Sequence, residues 1–549
     1  MFGRAKVAGM HARRLCFGIV CGIWLLTACG ERDRPAVPQV AQRARPALRL
    51  AALTDISGYL EPCGCQSKPL GGIDRAASKL QALRADHVPL VFLATGDLLF
   101  GDRPEGAASS TEAAAQETWK AETLIDIFNR LGLSAATPGK RDLSFGPAEL
   151  ERLEGLSKFA WLPAKPGSGA EKEAVARWLG QAGEIKVGVV GVSTFEGPEA
   201  GLPTERLQAL SARTQAEIEK LRADGARLVI ALISSDQRTG RRLSAGLHGL
   251  DFTLQGGLDD ASAPPPTAAG NSAWLRAGRQ GQGLLVVDVY LDTSAKAAQF
   301  VDISEWTQRE QRTALQTRVS DLAQRVQAWE RDPAVDRASV NEQRNKLESL
   351  RAELERAQKP PSAQGNAFNA RYEAITHEQS SDHQIASVVD AYDARVNEHN
   401  RVAFADVKPA EPAPGAPHYV GSATCQGCHA AAYAWWSGHP HGNAYKTLEN
   451  VHKQFNFSCV ACHVTGYGKP GGSTLVHNQG LINVGCESCH GPASQHITQP
   501  TVTSALTRSP AESVCKQCHT PEHSDLFEFK SFSARLRVKG HGLPMTATD

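Results

Sequence analysis

The chain has 549 residues, 41% of them hydrophobic and 21% charged, with a formal net charge of +1. At about 150 residues per domain this length predicts three or four units, and the near-balanced charge excludes an electrostatic case for nucleic acid or an anionic membrane surface. A small-molecule or protein partner is the expectation. The 13 cysteines fall into three groups: Cys16, Cys21 and Cys29; the pair Cys63 and Cys65; and eight between Cys425 and Cys518, all in C-x-x-C pairs.

Residues 1–28 read as an export signal, with Arg4, Lys6, Arg13 and Arg14 ahead of an apolar run from Leu15 to Leu26 that is short for a membrane-spanning helix. Leu26-Thr27-Ala28-Cys29 resembles the bacterial lipobox, in which the cysteine becomes the lipidated first residue. The resemblance implies a lipoprotein anchored through Cys29 to a bacterial membrane, on its periplasmic or outer side. Residues 29–46 then form a tether containing Pro and Arg.

From 47 to 304 apolar runs alternate with amphipathic stretches. The runs are Leu48 to Leu53, Val88 to Ala94, Ile185 to Val192, Leu228 to Ile233 and Leu284 to Tyr290, and stretches such as Ala113 to Leu131 and Thr204 to Arg222 separate some of them. That pattern predicts a layered α/β domain. In 305–407 the period changes: Leu315, Val319, Leu322, Val326 and Trp329 follow 4-3-4-3 spacing, and Leu347, Leu350 and Leu354 resume it after Asp332-Pro333. A helical coiled-coil hairpin is predicted, its stripe serving packing, with a further helix over Asp382 to Asn397. Residues 408–418, rich in Pro and Ala, are a linker into a last domain, 419–549.

That last domain holds four copies of C-x-x-C-H: Cys425, Cys428 and His429; Cys459, Cys462 and His463; Cys486, Cys489 and His490; Cys515, Cys518 and His519. The spacing reads as c-type haem attachment. Two thiols one turn apart can each bond a haem vinyl group while the adjacent histidine ligates iron. Zinc is the competing reading, but a zinc site does not need a histidine after every second cysteine. Four covalent haems would also supply most of the core of a region with few long apolar runs.

Tyr419-Val-Gly-Ser, the Tyr433 and Trp436 pair, Cys462-His-Val-Thr-Gly-Tyr467, Cys486-Glu-Ser-Cys-His-Gly-Pro492 and Cys518-His-Thr-Pro521 resemble the tetrahaem cytochrome c-554 family over roughly the last 130 residues. The resemblance implies a mainly α multihaem electron carrier with closely packed haems. It points to His441, with His439 as rival, and to His496 and His541 as sixth iron ligands. For the fourth iron His418, His452, His477 and His523 are alternatives, and the resemblance also allows one five-coordinate haem.

Leu53-Thr-Asp-Ile-Ser-Gly58, Ala94-Thr-Gly-Asp97, Pro138 to Gly146, Ile233-Ser-Ser235 and Gln255 to Asp260 are similar, in order and spacing, to segments of calcineurin-like metallophosphoesterases, most closely the N-terminal domain of 5'-nucleotidases. Those enzymes hold two metal ions with Asp and His ligands. Here Ser57, Lys140-Arg141, Ser235, Leu258 and Asp260 stand at the other ligand positions, which leaves Asp55 and Asp97. His87 and His248 lie outside the motifs. The expectation is a metallophosphoesterase-like fold with hydrolysis lost. The C-G-C pair, Cys63 and Cys65, reads equally as a soft-metal or redox pair and as structural thiols.

Taken together, these readings predict a periplasmic or outer-membrane multihaem c-type cytochrome that transfers electrons to and from redox partner proteins, with haem-chain assembly open to it and no separate catalytic residues. The alternative is a redox enzyme acting on a small nitrogen compound (nitric oxide, hydroxylamine or nitrite) at a five-coordinate haem.

Overall fold

The strand-forming runs are among the apolar segments of the chain, and in the computed structural model they build two facing sheets. The structure describes residues 45–62, 68–101, 111–163, 173–194, 201–258, 263–292, 299–359, 365–520, 523–524 and 526–544. Cys29, Cys63, Cys65 and Asp260, and the expectations placed on them, lie outside these residues.

The first half runs β1 (Leu48–Thr54), α1 (Ile73–Arg84), β2 (Leu90–Gly96), α2 (Thr111–Leu131), β3 (Ala135–Pro138), α3 (Pro147–Glu154), β4 (Ala160–Trp161), β5 (Glu173–Ala182) and β6 (Ile185–Thr194). It continues with α4 (Thr204–Ala223), β7 (Leu228–Ser234), α5 (Gln237–Gly246), β8 (Phe252–Gly256), β9 (Thr267–Ala269), β10 (Ser272–Leu275), β11 (Gly283–Tyr290) and β12 (Val301–Asp302). Then come α6 (Glu305–Arg331), α7 (Arg337–Ala357), β13 (Ala367–Ala374) and α8 (His383–Ala403).

One sheet has the order β12-β13-β11-β1-β2-β3-β4 and the other β5-β6-β7-β8-β10-β9. β1 is buried along all seven residues because it is covered on both faces, which is why it reads as a nearly continuous apolar run rather than an alternating one, with Arg49 paired to Asp288 as its single charged residue. Leu50, Leu93, Val189, Ile230, Phe252 and Val287 fill the space between the sheets. Leu53, Phe92, Leu124, Phe128 and Ile385 pack helices outside the first sheet, and Leu210, Ile218, Val229 and Leu243 outside the second. The layers are therefore helix, sheet, sheet, helix, a multidomain chain's α/β portion as expected.

One departure concerns 305–407, read from the sequence as helical. Helices α6 and α7 do pack together through Leu315, Leu322, Val326, Leu347 and Leu350. After them, however, β13 returns to the first sheet and pairs antiparallel with all eight residues of β11, and α8 packs Ile385, Val389 and Val396 onto the first-sheet core. The helical pair is thus an insertion within the α/β fold. Polar Asn369, Arg371 and Glu373 dilute the hydrophobicity of β13, while its period-2 burial of Phe368 and Ala370 carries the strand signal.

The remainder is mainly short helices: α9 (Ser422–Cys425), α10 (Ala430–Gly438), α11 (Ala444–Glu449), α12 (Phe457–His463), α13 (Cys486–His490), α14 (Ser494–Thr498), α15 (Glu512–Cys515) and α16 (Phe529–Leu536), followed by a small pair of strands, Val538–Lys539 and Gly542–Leu543. No helix among the described residues is long and apolar enough to cross a membrane.

Candidate haem-binding site

The carboxyl ends of the strands gather the residues of the phosphoesterase-like motifs, as open α/β sheets place their ligand sites. Asp55 follows β1, Asp97 follows β2, Arg141 follows β3, Ser235 follows β7 and Gly257 follows β8. The backbone comes close enough for this only because glycine lines it: a Cβ on Gly96 would lie 2.0 Å from Asp55 Oδ1, and one on Gly139 would lie 2.2 Å from Asp97 Oδ1. Asp55 and Ser57 hold φ angles of 49° and 53°, the strained backbone that functional turns retain.

The carboxylates at this centre are taken up by the protein itself. Asp55 Oδ1 accepts from the backbone N–H groups of Asp97 at 3.1 Å and Gly257 at 2.7 Å. Asp97 accepts from the Arg141 backbone N–H at 2.7 Å and pairs with its guanidinium at 3.0 Å. Asp142, unremarked in the sequence, is fully buried and accepts from the N–H groups of Leu98, Leu99 and Gly139. Burial, reinforced by the Asp97 charge, pushes Asp55 up to about 7 against its N–H donors, which weakens it as an anionic metal ligand. Lys140 is exposed, Ser235 Oγ donates to the Asp236 carbonyl at 3.0 Å, and Leu258 brings no donor atom. His87 and His248 sit in loops outside this centre.

The C-terminal module has a different problem, which is how to fold with little core of its own. From Lys408 onward six apolar residues among those described are buried, Tyr445, Leu448, Val460, Val464, Leu475 and Ala493, while Tyr433, Trp435, Trp436, Phe527 and Phe532 remain half-buried. So small a core is insufficient for a module of this size, and large flat apolar groups are what these rings would cover. A buried carboxylate, Glu487, organises the polypeptide by accepting from the N–H groups of Val420, Gly421 and Ala493 at 2.8–3.0 Å.

Each C-x-x-C-H motif occupies about one helical turn. In the first and fourth, the N–H groups of His429 and His519 donate to the carbonyls of Cys425 and Cys515 at 2.9 Å. The second motif lies within α12 and the third fills α13. Positions i, i+3 and i+4 then share one face, so two thiols and an imidazole present themselves together. None of the eight cysteines is tied up in a disulfide. Cys425 neighbours Cys486, and Cys462 neighbours Cys518, which brings the first motif to the third and the second to the fourth.

The ring geometry fits an iron porphyrin at three of the four motifs. Ring centroids lie 6.4 Å apart for His429 and His496, and 6.1 Å apart for both His441 with His519 and His490 with His541. Metal–imidazole bonds run about 2.0–2.1 Å, and with about 1.1 Å from ring nitrogen to ring centre, two imidazoles on opposite sides of one metal would stand about 6.3 Å apart. The Nδ1 atoms of His463, His490 and His541 face the carbonyls of Ala444, Thr507 and Leu536 at 2.6–2.7 Å, an arrangement that fixes the tautomer and leaves Nε2 for metal. Burial, with His439 and His519 beside it, pulls His441 down to about 4, so its ring is neutral. The rival His439 instead lies against Trp435 at 4.8 Å, and its Nδ1 accepts from the His441 N–H.

Among the described residues no second imidazole faces His463. His477 turns Nε2 to the carbonyl of Ala405. The second motif is distinguished also by what covers it. Buried Gln116 of α2 accepts from the Phe457 N–H at 3.2 Å, at the start of α12, and donates to Asn456 Oδ1 at 2.9 Å. Asn456 in turn caps α12 by accepting from the Ser458 N–H at 2.9 Å, and Asn400 of α8 donates to the Phe455 carbonyl at 2.8 Å. A glutamine in the middle of an amphipathic helix gives no sequence signal of such a role.

Comparison with known proteins decides what the two halves resemble. Residues 424–491 match the family described as cytochrome c554 and c-prime. Cytochrome c-554 of Nitrosomonas europaea is 35% identical over 90 residues, 14% of this chain and 38% of that protein. The chain joins a cytochrome c-554-like module to a 5'-nucleotidase-like domain. The second part of that statement rests on the snake venom 5'-nucleotidase of Gloydius brevicauda, 26% identical over 236 residues, 40% of this chain and 38% of that protein. The chain therefore spans well under half the length of these curated relatives. Among solved structures, the 5'-nucleotidase precursor of Thermus thermophilus aligns with a TM-score of 0.40 at 15% identity, covering 66% of this chain and 61% of that one. A calcineurin-like phosphoesterase of Bacillus subtilis aligns with a TM-score of 0.35 at 17% identity, covering 47% and 89%. For the cytochrome c-554-like module, that family match implies covalently attached c-type haem.

Proposed function

We propose that this chain is an exported electron-transfer protein bearing four covalent c haems, held to a bacterial membrane through lipid on Cys29 and exchanging electrons with redox partner proteins. The observation that carries this reading is the convergence of four C-x-x-C-H turns in one module, three of them with a second imidazole at iron-bridging distance. Bound haem supplies reversible one-electron chemistry. The polypeptide's part is to hold it: cysteines 425, 428, 459, 462, 486, 489, 515 and 518 attach the macrocycles, and His429, His463, His490 and His519 ligate from one side. His496, His541 and His441, which stand across from His429, His490 and His519 in turn, would supply the second imidazole to each iron.

In this reading the 5'-nucleotidase-like domain is a scaffold rather than a hydrolase. A guanidinium on Asp97 supplies the positive charge that a dication would bring, and the imidazoles needed to complete a two-metal site have been replaced. His463, which no second imidazole faces among the described residues, favours one second reading, a redox enzyme that binds nitric oxide, hydroxylamine or nitrite at the second haem. The two are separated by reducing the matured protein and adding each compound. Fast reduction without turnover is the expected result, and sustained turnover would transfer the proposal to the enzyme.

A further inference from the structure

Electron transfer by itself needs no ionisable groups beside the haem, yet the cover of the second motif is full of them. Lys453, in the loop before α12, is mostly buried and lies 3.2 Å from the carboxylate of Asp393 on α8, itself 7% exposed. On its other side Lys453 contacts Glu61, whose side chain is 43% exposed and so meets solvent. Lys453 and Tyr392 both lie within electrostatic reach of Cys459. Gln116, which bonds Phe457 and Asn456 at the start of α12 and accepts from Asn400 of α8 at 3.3 Å, ties the helix that carries Asp393 to the second motif.

We propose that Asp393, paired with Lys453, is the proton-uptake site coupled to electron arrival at the second haem motif. This rests on haem being attached at Cys459 and Cys462 as proposed above. His463 would hold the iron of a haem bound at this motif, and that haem would supply one-electron chemistry, taking one electron from a redox partner protein that is oxidised by one. One proton from solvent, entering past Glu61 and Lys453, converts the Asp393 carboxylate to the neutral acid. The negative charge added at the motif is thus offset by one removed beside it, in surroundings where screening by water is weak.

The charged and titratable groups facing Asp393 come from every element around it. Lys453 and Asp390, one turn earlier on α8, act on it directly; Glu61 lies beyond Lys453, and adjacent Tyr392 is in turn faced by Cys459 and by Glu117 of α2, which pairs with Lys120 at 2.7 Å. Burial, with the Asp390 charge beside it, pushes the Asp393 carboxyl up to about 7, and burial lowers the ammonium of Lys453. A carboxylate placed so takes up a proton near neutral pH when a further negative charge arrives. Because the reduced state then binds the proton more tightly, the potential must fall as pH rises above about 7 and level off below it.

The test is a spectroelectrochemical titration of the full matured chain from acid to alkaline pH, with covalent haem counted in the same sample. The high-spin haem of the native protein is expected to become harder to reduce above neutrality, by up to tenfold in its equilibrium constant per pH unit, about 59 mV for one electron. Asp393→Asn should abolish that slope and leave the other three haems unchanged. Lys453→Gln, which keeps the carboxyl but removes its cation, should move the onset of the slope to higher pH by about one unit, and it serves if Asp393→Asn fails to fold. A four-haem protein whose slope is unmoved by either variant, or absent in the native chain, would overturn this proposal alone. Loss of the second haem from the native chain would overturn the four-haem reading along with it.

Discussion

Replacing His541 by leucine is expected to convert one of the three low-spin haems to a high-spin, ligand-accessible form. His541 stands with its ring centroid 6.1 Å from that of His490 and 4.7 Å from that of Trp435, stacked on the indole, and its Nδ1 is held by the Leu536 carbonyl at 2.6 Å. Leucine preserves apolar contact with Trp435 but offers no lone pair to iron, and it strands the Leu536 carbonyl at a cost of about 1 kcal/mol. Electron paramagnetic resonance of the oxidised protein should show the low-spin signal reduced by about one third, and added nitric oxide should bind at two sites per chain instead of one. An unchanged low-spin signal would remove His541 from the ligand set. The haem attached through Cys486 and Cys489 should stay in place, since its covalent links and His490 are untouched.

The second large effect is expected at the other end of the chain. Arg141→Ala should destabilise the 5'-nucleotidase-like domain by about 3 kcal/mol, the lower end of the range for breaking a buried ion pair. Arg141 is 21% exposed and Asp97 only 7%, so alanine would leave a carboxylate with little water and no guanidinium. For a domain of this size the loss corresponds to about 6–12 °C in midpoint temperature. Asp97→Asn introduced with Arg141→Ala should restore most of it, because the neutral amide can still accept from the Arg141-position backbone N–H. Calorimetry of the full chain would read both variants. A native-like midpoint in the single variant would show that Arg141 does not hold the centre together. Neither variant should gain divalent-metal-dependent phosphatase activity, since Ser57, Ser235 and Leu258 still occupy positions where ligands belong.

How much of this was legible in the sequence depended on how local the chemistry is. Covalent haem attachment confines two thiols and an imidazole to five consecutive residues, so the four C-x-x-C-H motifs stand out without a fold. Strands β1, β6, β7 and β11 were legible for a related reason: burial on both faces leaves a nearly continuous apolar run, interrupted only by single charged residues such as Arg49, Lys186 and Asp288. The pairing of His441 with the fourth motif, His496 with the first and His541 with the third spans up to 78 residues of chain, so the sequence offers candidate histidines but not their partners. Gln116, Asp393 and Lys453 were silent because each acts only through residues brought to it by tertiary packing. Strand β13 was hidden by Asn369, Arg371 and Glu373 on its second face and by the long helical insertion before it. In the sequence Arg141 shows only as a residue standing where a ligand belongs, whereas the structure shows the more specific fact that it salt-bridges Asp97.

The most direct test of the central claim is the intact mass of the chain, matured by a host that attaches c haem, combined with the resonance spectrum of its oxidised irons. Four covalent haems per chain, three of them six-coordinate and low-spin and one five-coordinate and high-spin, is the predicted result. Fewer than four covalent haems, or zinc bound at the cysteine motifs in their place, would contradict it.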